Sequence, residues 1–170
     1  MTPRIFLSCP SLLSSDQEMA AELWSNSLRR MGMEQIAPLP VYVAATLWST
    51  LRRNLEVADG ALILGLRQLR VDEGCWRPDT AAPKDPAKWW PTPWNHVEAG
   101  MAIMAGLPLL AIREDGVAGG VFDSCEWTDG IHVADLDSSL TEPPVMAWAT
   151  DVFARHRKRI KRGSVANRAS

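Results

Sequence analysis

The sequence predicts one α/β domain, a parallel five-stranded sheet with helices on both faces. Three observations predict it. Short runs such as Ala61-Leu62-Ile63-Leu64 are almost wholly apolar, as strands covered on both faces must be. Stretches with apolar residues spaced by three and four separate those runs, so strand and helix alternate. A chain of 170 residues is long enough for one core of ordinary size. The domain is assigned to 1–157, followed by a basic tail, 158–170, that is expected to be disordered.

The first strand is Arg4 to Ser8, ended by Cys9-Pro10-Ser11. Ser14 and Ser15 offer N-caps for a helix in which Ala20, Trp24, Leu28 and Met31 recur on one face up to Gly32. Met33 to Leu39 supplies a second strand centred on Gln35 and Ile36 and stopped by Pro38 and Pro40. Between Ala44 and Ala58, the positions Leu47, Leu51, Leu55 and Ala58 share a helical face, with Trp48 beside them. Asp59-Gly60 breaks that rhythm before the third strand, Ala61 to Gly65.

Residues 66–92 have no clean period and hold Gly74, four prolines and three tryptophans, the pattern of a long loop that is either functional or disordered. Thr92 as N-cap and Pro93 at the first helical position then open a helix that Gly106 and Pro108 close. Leu107 to Arg113 is the fourth strand, Ile131-His132-Val133 a weak fifth, and Pro144 to His156 a last helix with Val145, Trp148, Ala149, Val152 and Phe153 on its apolar face. Right-handed crossovers leave few arrangements for five such beats. With a flavodoxin-like order, 2-1-3-4-5, the ligand crevice falls between strands one and three at their carboxyl ends.

Composition narrows the function. A net charge of −2 gives no global electrostatic case for nucleic acid. Cys9, Cys75 and Cys125 are far apart with no C-x-x-C pair, against a zinc site or a disulfide framework, so no metal is expected and a reducing cytoplasm is the simplest setting. No apolar run approaches the roughly 18 residues of a membrane span, and no signal-peptide core opens the chain.

One carboxylate stands out. Trp94, Glu98, Met101, Ala102 and Ala105 are spaced by three and four, so Glu98 projects from an otherwise apolar stripe. It is either a structural glutamate bonded to a neighbour or a functional one. The loop from Ser8 to Ser15 and the loop 66–92 would flank the same crevice.

The set Ile5-Phe6-Leu7-Ser8, Ala58-Asp59-Gly60-Ala61-Leu62-Ile63-Leu64, Trp94-x-x-x-Glu98 and Leu107-Pro108-Leu109-Leu110 resembles the TIR domain family, with its first-strand "FLS" and its W-x-x-x-E helix. The resemblance implies a TIR-like enzyme that breaks NAD at the nicotinamide glycosidic bond, as in bacterial antiviral defence or signalling, with Glu98 at the catalytic position. NAD is then a substrate and no cofactor is called for. The pair Ala58-Asp59-Gly60-Ala61 and Glu98-Ala99-Gly100-Met101-Ala102 is also similar to nucleoside 2-deoxyribosyltransferases, whose corresponding glutamate is the nucleophile. Pro91-Thr92-Pro93-Trp94 departs from the aspartate and Gly-Thr that those transferases place before it.

Cleaving an N-glycosidic bond builds positive charge on the ribose, as glycoside hydrolysis does, and a carboxylate beside the anomeric carbon stabilises or attacks it. Trp89, Trp90 and Trp94 are candidates to stack on a base or nicotinamide ring. Ser8, with Cys9 and Pro10 in the first loop, is a candidate to hold ribose or phosphate. His96, two residues from Glu98, faces elsewhere. Two functions follow: an N-glycosidase acting on NAD, a related nucleotide or a nucleoside, or a non-catalytic TIR-like interaction module. Both resemblances imply self-association or an activating partner, and the loop 66–92 is expected to form a lid carrying Trp89 and Trp90.

Overall fold

The computed structural model describes residues 1–36, 46–81, 84, 88–123 and 130–166. The end of the predicted second strand, the start of the predicted second helix, parts of the loop 66–92 and the last four residues lie outside that set.

The main sheet contains β1 (Arg4–Ser8), β2 (Glu34–Gln35), β3 (Gly60–Gly65), β6 (Leu109–Arg113) and β7 (Ile131–Asp135). Every neighbouring pair in it is parallel, and the order is β2-β1-β3-β6-β7, the predicted 2-1-3-4-5 arrangement. β3 is buried at every position, which is why its sequence is a continuous apolar run.

On one face, α1 (Ser15–Arg30) and α4 (Pro143–Ala166) bury Trp24, Leu28, Val145, Trp148 and Val152 against Ile5, Leu62, Leu64, Leu110 and Ile112. On the other, α2 (Leu47–Val57) and α3 (Pro93–Met104) bury Leu51, Leu55, Ala99 and Ala102 against Phe6, Ala61, Ile63, Leu109 and Ala111. The alternate residues of each strand supply the two cores, as a period of two requires. α1 opens with a capping box, in which the Ser14 hydroxyl accepts from the Gln17 N–H and the Gln17 side chain accepts from the Ser14 N–H.

Three expectations need correction. The loop 66–92 holds a hairpin, with β4 (Leu69–Arg70) antiparallel to β5 (Trp89–Trp90); strands of two residues are too short to show a period. Trp94 is 45% exposed and packs on the exposed Trp48 of α2, ring centroids 5.6 Å apart, while Asn95, Glu98, Ala99 and Ala102 form the buried face of α3. The helix is therefore turned about one residue from the predicted stripe, because the small Ala99 and Ala102 fit the close approach to the sheet and an indole does not.

The basic run assigned to a tail belongs to α4, which continues to Ala166. Two of the arginines of α4 have acceptors on other elements. Arg155 donates to the carbonyls of Gly106 at 2.8 Å and Ala105 at 3.2 Å, closing the C-terminus of α3, and Arg159 donates to Val57 O and to Asp59 Oδ2.

Candidate functional site

The carboxyl ends of β1 and β3 meet the N-terminal half of α3. Thr92 caps that helix, its hydroxyl accepting from the Asn95 N–H at 3.2 Å. Asn95 is 1% exposed and fully engaged. Its Oδ1 accepts from the Thr92 N–H at 3.1 Å and the Thr92 hydroxyl at 2.7 Å, and its Nδ2 donates to Leu64 O at 3.3 Å and to Ser8 Oγ at 2.9 Å. One side chain thus ties the head of α3 to both central strands.

Glu98, one turn further on, is 7% exposed and lies beside Ser8, itself 3% exposed. Burial pushes the Glu98 carboxyl above its ordinary value, and the polar Ser8 hydroxyl nearby works in the opposite direction. Among the described residues no arginine, lysine or histidine pairs with it. The Cys9 thiol is pushed up to about 11 by burial and by the nearby Glu98 charge, so it stays protonated at neutral pH and is a poor nucleophile.

Ser8 and Cys9 therefore lie near Glu98, and Pro10 is buried in the same loop. The tryptophans are placed differently. Trp94 lies on the outer surface with Trp48. Trp89 and Trp90 belong to the hairpin and pack on the loop after β6. Trp89 bridges to Val117, with the guanidinium groups of Arg67 and Arg70 over its ring at 5.4 and 5.9 Å, and Trp90 stacks on Trp76 at 5.9 Å. The Trp90 ring also covers Gly119, whose φ of +104° and lack of a side chain both permit that seat.

His96 points away from Glu98, as its spacing implies. It meets the Phe122 ring edge-on at 5.6 Å, and burial lowers its pKa while Asp123 raises it. A separate groove of about 960 Å³ lies over α1 and the ends of β6 and β7, but its cations are paired: Arg67 with Asp115 at 3.0 Å and Arg113 with Asp135 at 2.7 Å.

The residue that sequence reasoning missed is Asn95. Its signal is Thr92-x-x-Asn95, a capping box with asparagine in the place usual for Glu or Gln, and a capping residue is ordinarily read as structural.

No family model matches the chain, and no curated protein does. Among solved structures it is similar to the CMP N-glycosidase BcmB of Clostridium botulinum, with a TM-score of 0.42 and 14% identity over 66% of this chain and 70% of that one. A likeness that distant bears on neither the chemistry nor the substrate of this chain. Among the described residues, no helix is long and apolar enough to cross a membrane.

Proposed function

We propose that the chain breaks the N-glycosidic bond of a nucleotide, with NAD or a related nucleotide as substrate and Glu98 as the catalytic carboxylate. The observation that carries this reading is a nearly buried glutamate at the edge between β1 and β3, without a pairing cation among the described residues and within reach of the Ser8 hydroxyl. Such a carboxylate is costly to the fold, and the cost is recovered when positive charge develops beside it.

In NAD the bond between the ribose C1′ and the pyridinium nitrogen breaks, and its electron pair goes to the nitrogen. Nicotinamide leaves neutral, so no acid is needed to protonate it. Ionised Glu98 stabilises the oxocarbenium-like ribose, water adds to C1′ and its surplus proton passes to solvent. Ser8 and the backbone after it would hold ribose or phosphate oxygens. Trp89 and Trp90 would border the bound base if the hairpin closes over the crevice, and tryptophan quenching by added nucleotide reads that directly.

Self-association belongs to the same reading. The outer face of α3 exposes Trp94, Val97, Ile103 and Met104 beside Trp48 without one charged side chain, a surface suited to a second copy. Light scattering that shows only monomer across concentrations at which turnover persists would remove this part.

The deciding experiment incubates the protein with NAD and a panel of nucleotides and deoxynucleosides and follows free base by chromatography, for the native chain and for Glu98→Gln. Release by the native chain and none by a folded Glu98→Gln is expected. Equal release by the two would end the assignment.

A further inference from the structure

We infer that the free cations toward the end of α4 dock into the acidic groove over α1 and the ends of β6 and β7 of a second copy of this chain, so that molecules join head to tail. The inference is independent of the role of Glu98, and its surfaces are distinct from the outer face of α3.

The fold uses only part of the basic run. Arg155 and Arg159 donate to other elements, whereas Arg157, Lys158, Lys161 and Arg162 are exposed and have no acceptor among the described residues. At about 100° per residue these four lie within an arc of about 140°, on the side of the helix away from the buried Val152 and His156. The helix dipole does not account for them, because it acts over the last turn and α4 has no basic residue there.

The groove carries the opposite charge. Four carboxylates, Glu114, Asp115, Asp135 and Asp137, line it against the guanidinium groups of Arg67 and Arg113, so a negative surplus remains after both cations are paired. Its lining also includes Leu136 and the exposed Leu23 of α1. Long cationic side chains suit such a surface, since the methylene stems of Lys and Arg cover apolar area while their heads reach the carboxylates.

The two surfaces cannot meet within one molecule. α4 starts after β7, at the groove's end of the sheet, and runs unbroken for 24 residues, so at about 1.5 Å per residue Arg157 to Arg162 lie roughly 20–30 Å from its start, close to Asp59 at the amino end of β3. A second copy supplies both surfaces. Because the two differ, the contact is heterologous, and each pair keeps one open surface of each kind. A nucleic acid would engage the cations alone, leave the groove unfilled and meet a chain of net charge −2. The groove wall also supports the tryptophan hairpin, since Trp89 bridges to Val117 and lies under Arg67, so a docked helix end would touch the loop on which that hairpin rests.

Sedimentation velocity tests this without any turnover, at low salt and at about 1 M, where screening shortens to about 3 Å. The samples are the native chain, a helix variant (Lys158→Glu with Lys161→Glu), a groove variant (Leu23→Lys with Asp137→Lys) and an equimolar mixture of the two variants. All four positions are exposed, and far-ultraviolet dichroism checks that the fold is kept. The native chain is expected to associate beyond a pair at low salt and to return to monomer at high salt. Each variant should raise the concentration of half-association at least about tenfold, as like charges placed across a contact do. Where each variant alone is monomeric, the mixture should form a one-to-one pair that grows no further, because one partner keeps its groove and the other its helix end. Should the helix variant fail to fold, Lys158→Gln with Lys161→Gln moves the midpoint the same way by less. A native chain that stays monomeric at low salt, a mixture that forms no pair, or association that survives both variants and falls in Trp94→Ala would overturn the inference. So would binding of an oligonucleotide that the helix variant loses, in the absence of self-association.

Discussion

Each end of the sheet holds a buried carboxylate, and the two are treated in opposite ways. Asp59, at the amino end of β3, is wholly buried, and its Oδ2 takes three donors: the Arg4 N–H at 3.0 Å, His156 Nδ1 at 2.9 Å and the Arg159 guanidinium at 2.8 Å. His156 reaches on through Nε2 to the Met1 carbonyl at 2.8 Å, so this carboxylate gathers the first strand, the third strand and the last helix. Glu98, at the carboxyl end, meets a neutral hydroxyl and a neutral thiol. A carboxylate whose charge is already answered holds a fold together. One whose charge is left unanswered is ready for a cation that is not part of the protein, which is how a transition state with a charged ribose would be met.

The contrast breaks most readily at Glu98. Replacing it by Gln is expected to lower base release by at least about 10²-fold, the scale on which single charge-stabilising groups act, with the far-ultraviolet dichroism unchanged. Asp59→Ala should do the reverse. Removing one partner of a buried pair costs about 3 kcal/mol or more, taken at the low end because Arg159 is partly exposed, and that lowers Tm by about 2–4 °C for each kcal/mol in a chain of this size. Thermal melting together with base release measured well below Tm checks that stability falls and turnover per folded molecule does not.

A smaller effect is expected in pH dependence. The folded Glu98 carboxyl titrates above its unfolded value of about 4.3. The folded state therefore holds the proton more tightly, and native stability falls as pH rises from the unfolded value through the folded one. Above that window the ionised group carries its full penalty, so Glu98→Gln should melt higher than the native chain at neutral pH, and the gap should close as pH falls through the window. The acid limb of turnover should follow the same raised midpoint. Melting curves of both proteins across pH 4 to 8 test the sign; a gap that widens toward acid would be the wrong one.

The smallest effect expected is at the outer surface of α3. Trp94→Ala removes an exposed indole packed at a tilt against Trp48, an interaction of about 0.5–1.5 kcal/mol, and in the monomer it should trim Tm by a few degrees without moving the Glu98 titration. A shift of that titration would show that Trp94 faces the carboxylate in solution.

The frame was legible because burial on both faces leaves a blunt mark: β1, β3 and β6 carry the apolar runs Ile5-Phe6-Leu7, Ala61-Leu62-Ile63-Leu64 and Leu109-Leu110-Ala111-Ile112, and Thr92-Pro93 and Gly106 bracket α3 with residues chosen by backbone geometry. Glu98 was legible as a charge among apolar neighbours. Asn95 was not, since its bonds to Ser8 and Leu64 span 87 and 31 residues of chain and leave no local pattern. The same holds for Trp94, because which of two apolar faces turns inward depends on how closely the sheet approaches, and only Ala99 and Ala102 hint at it. The extension of α4 was hidden by its own basic run, in which Arg155 and Arg159 find their acceptors on other elements.

Those arginines bear on how α3 tolerates change. The helix is held at its head by Thr92 and Asn95 and at its foot by Arg155 on the carbonyls of Ala105 and Gly106. With both ends fixed, the number of residues between them is a dimension of the site. One residue added or removed would turn everything beyond it by about 100°, carrying Glu98 away from Ser8 or Arg155 away from its carbonyls. The outer face of α3 is free to vary in kind, but between Thr92 and Gly106 the chain is not free to vary in length.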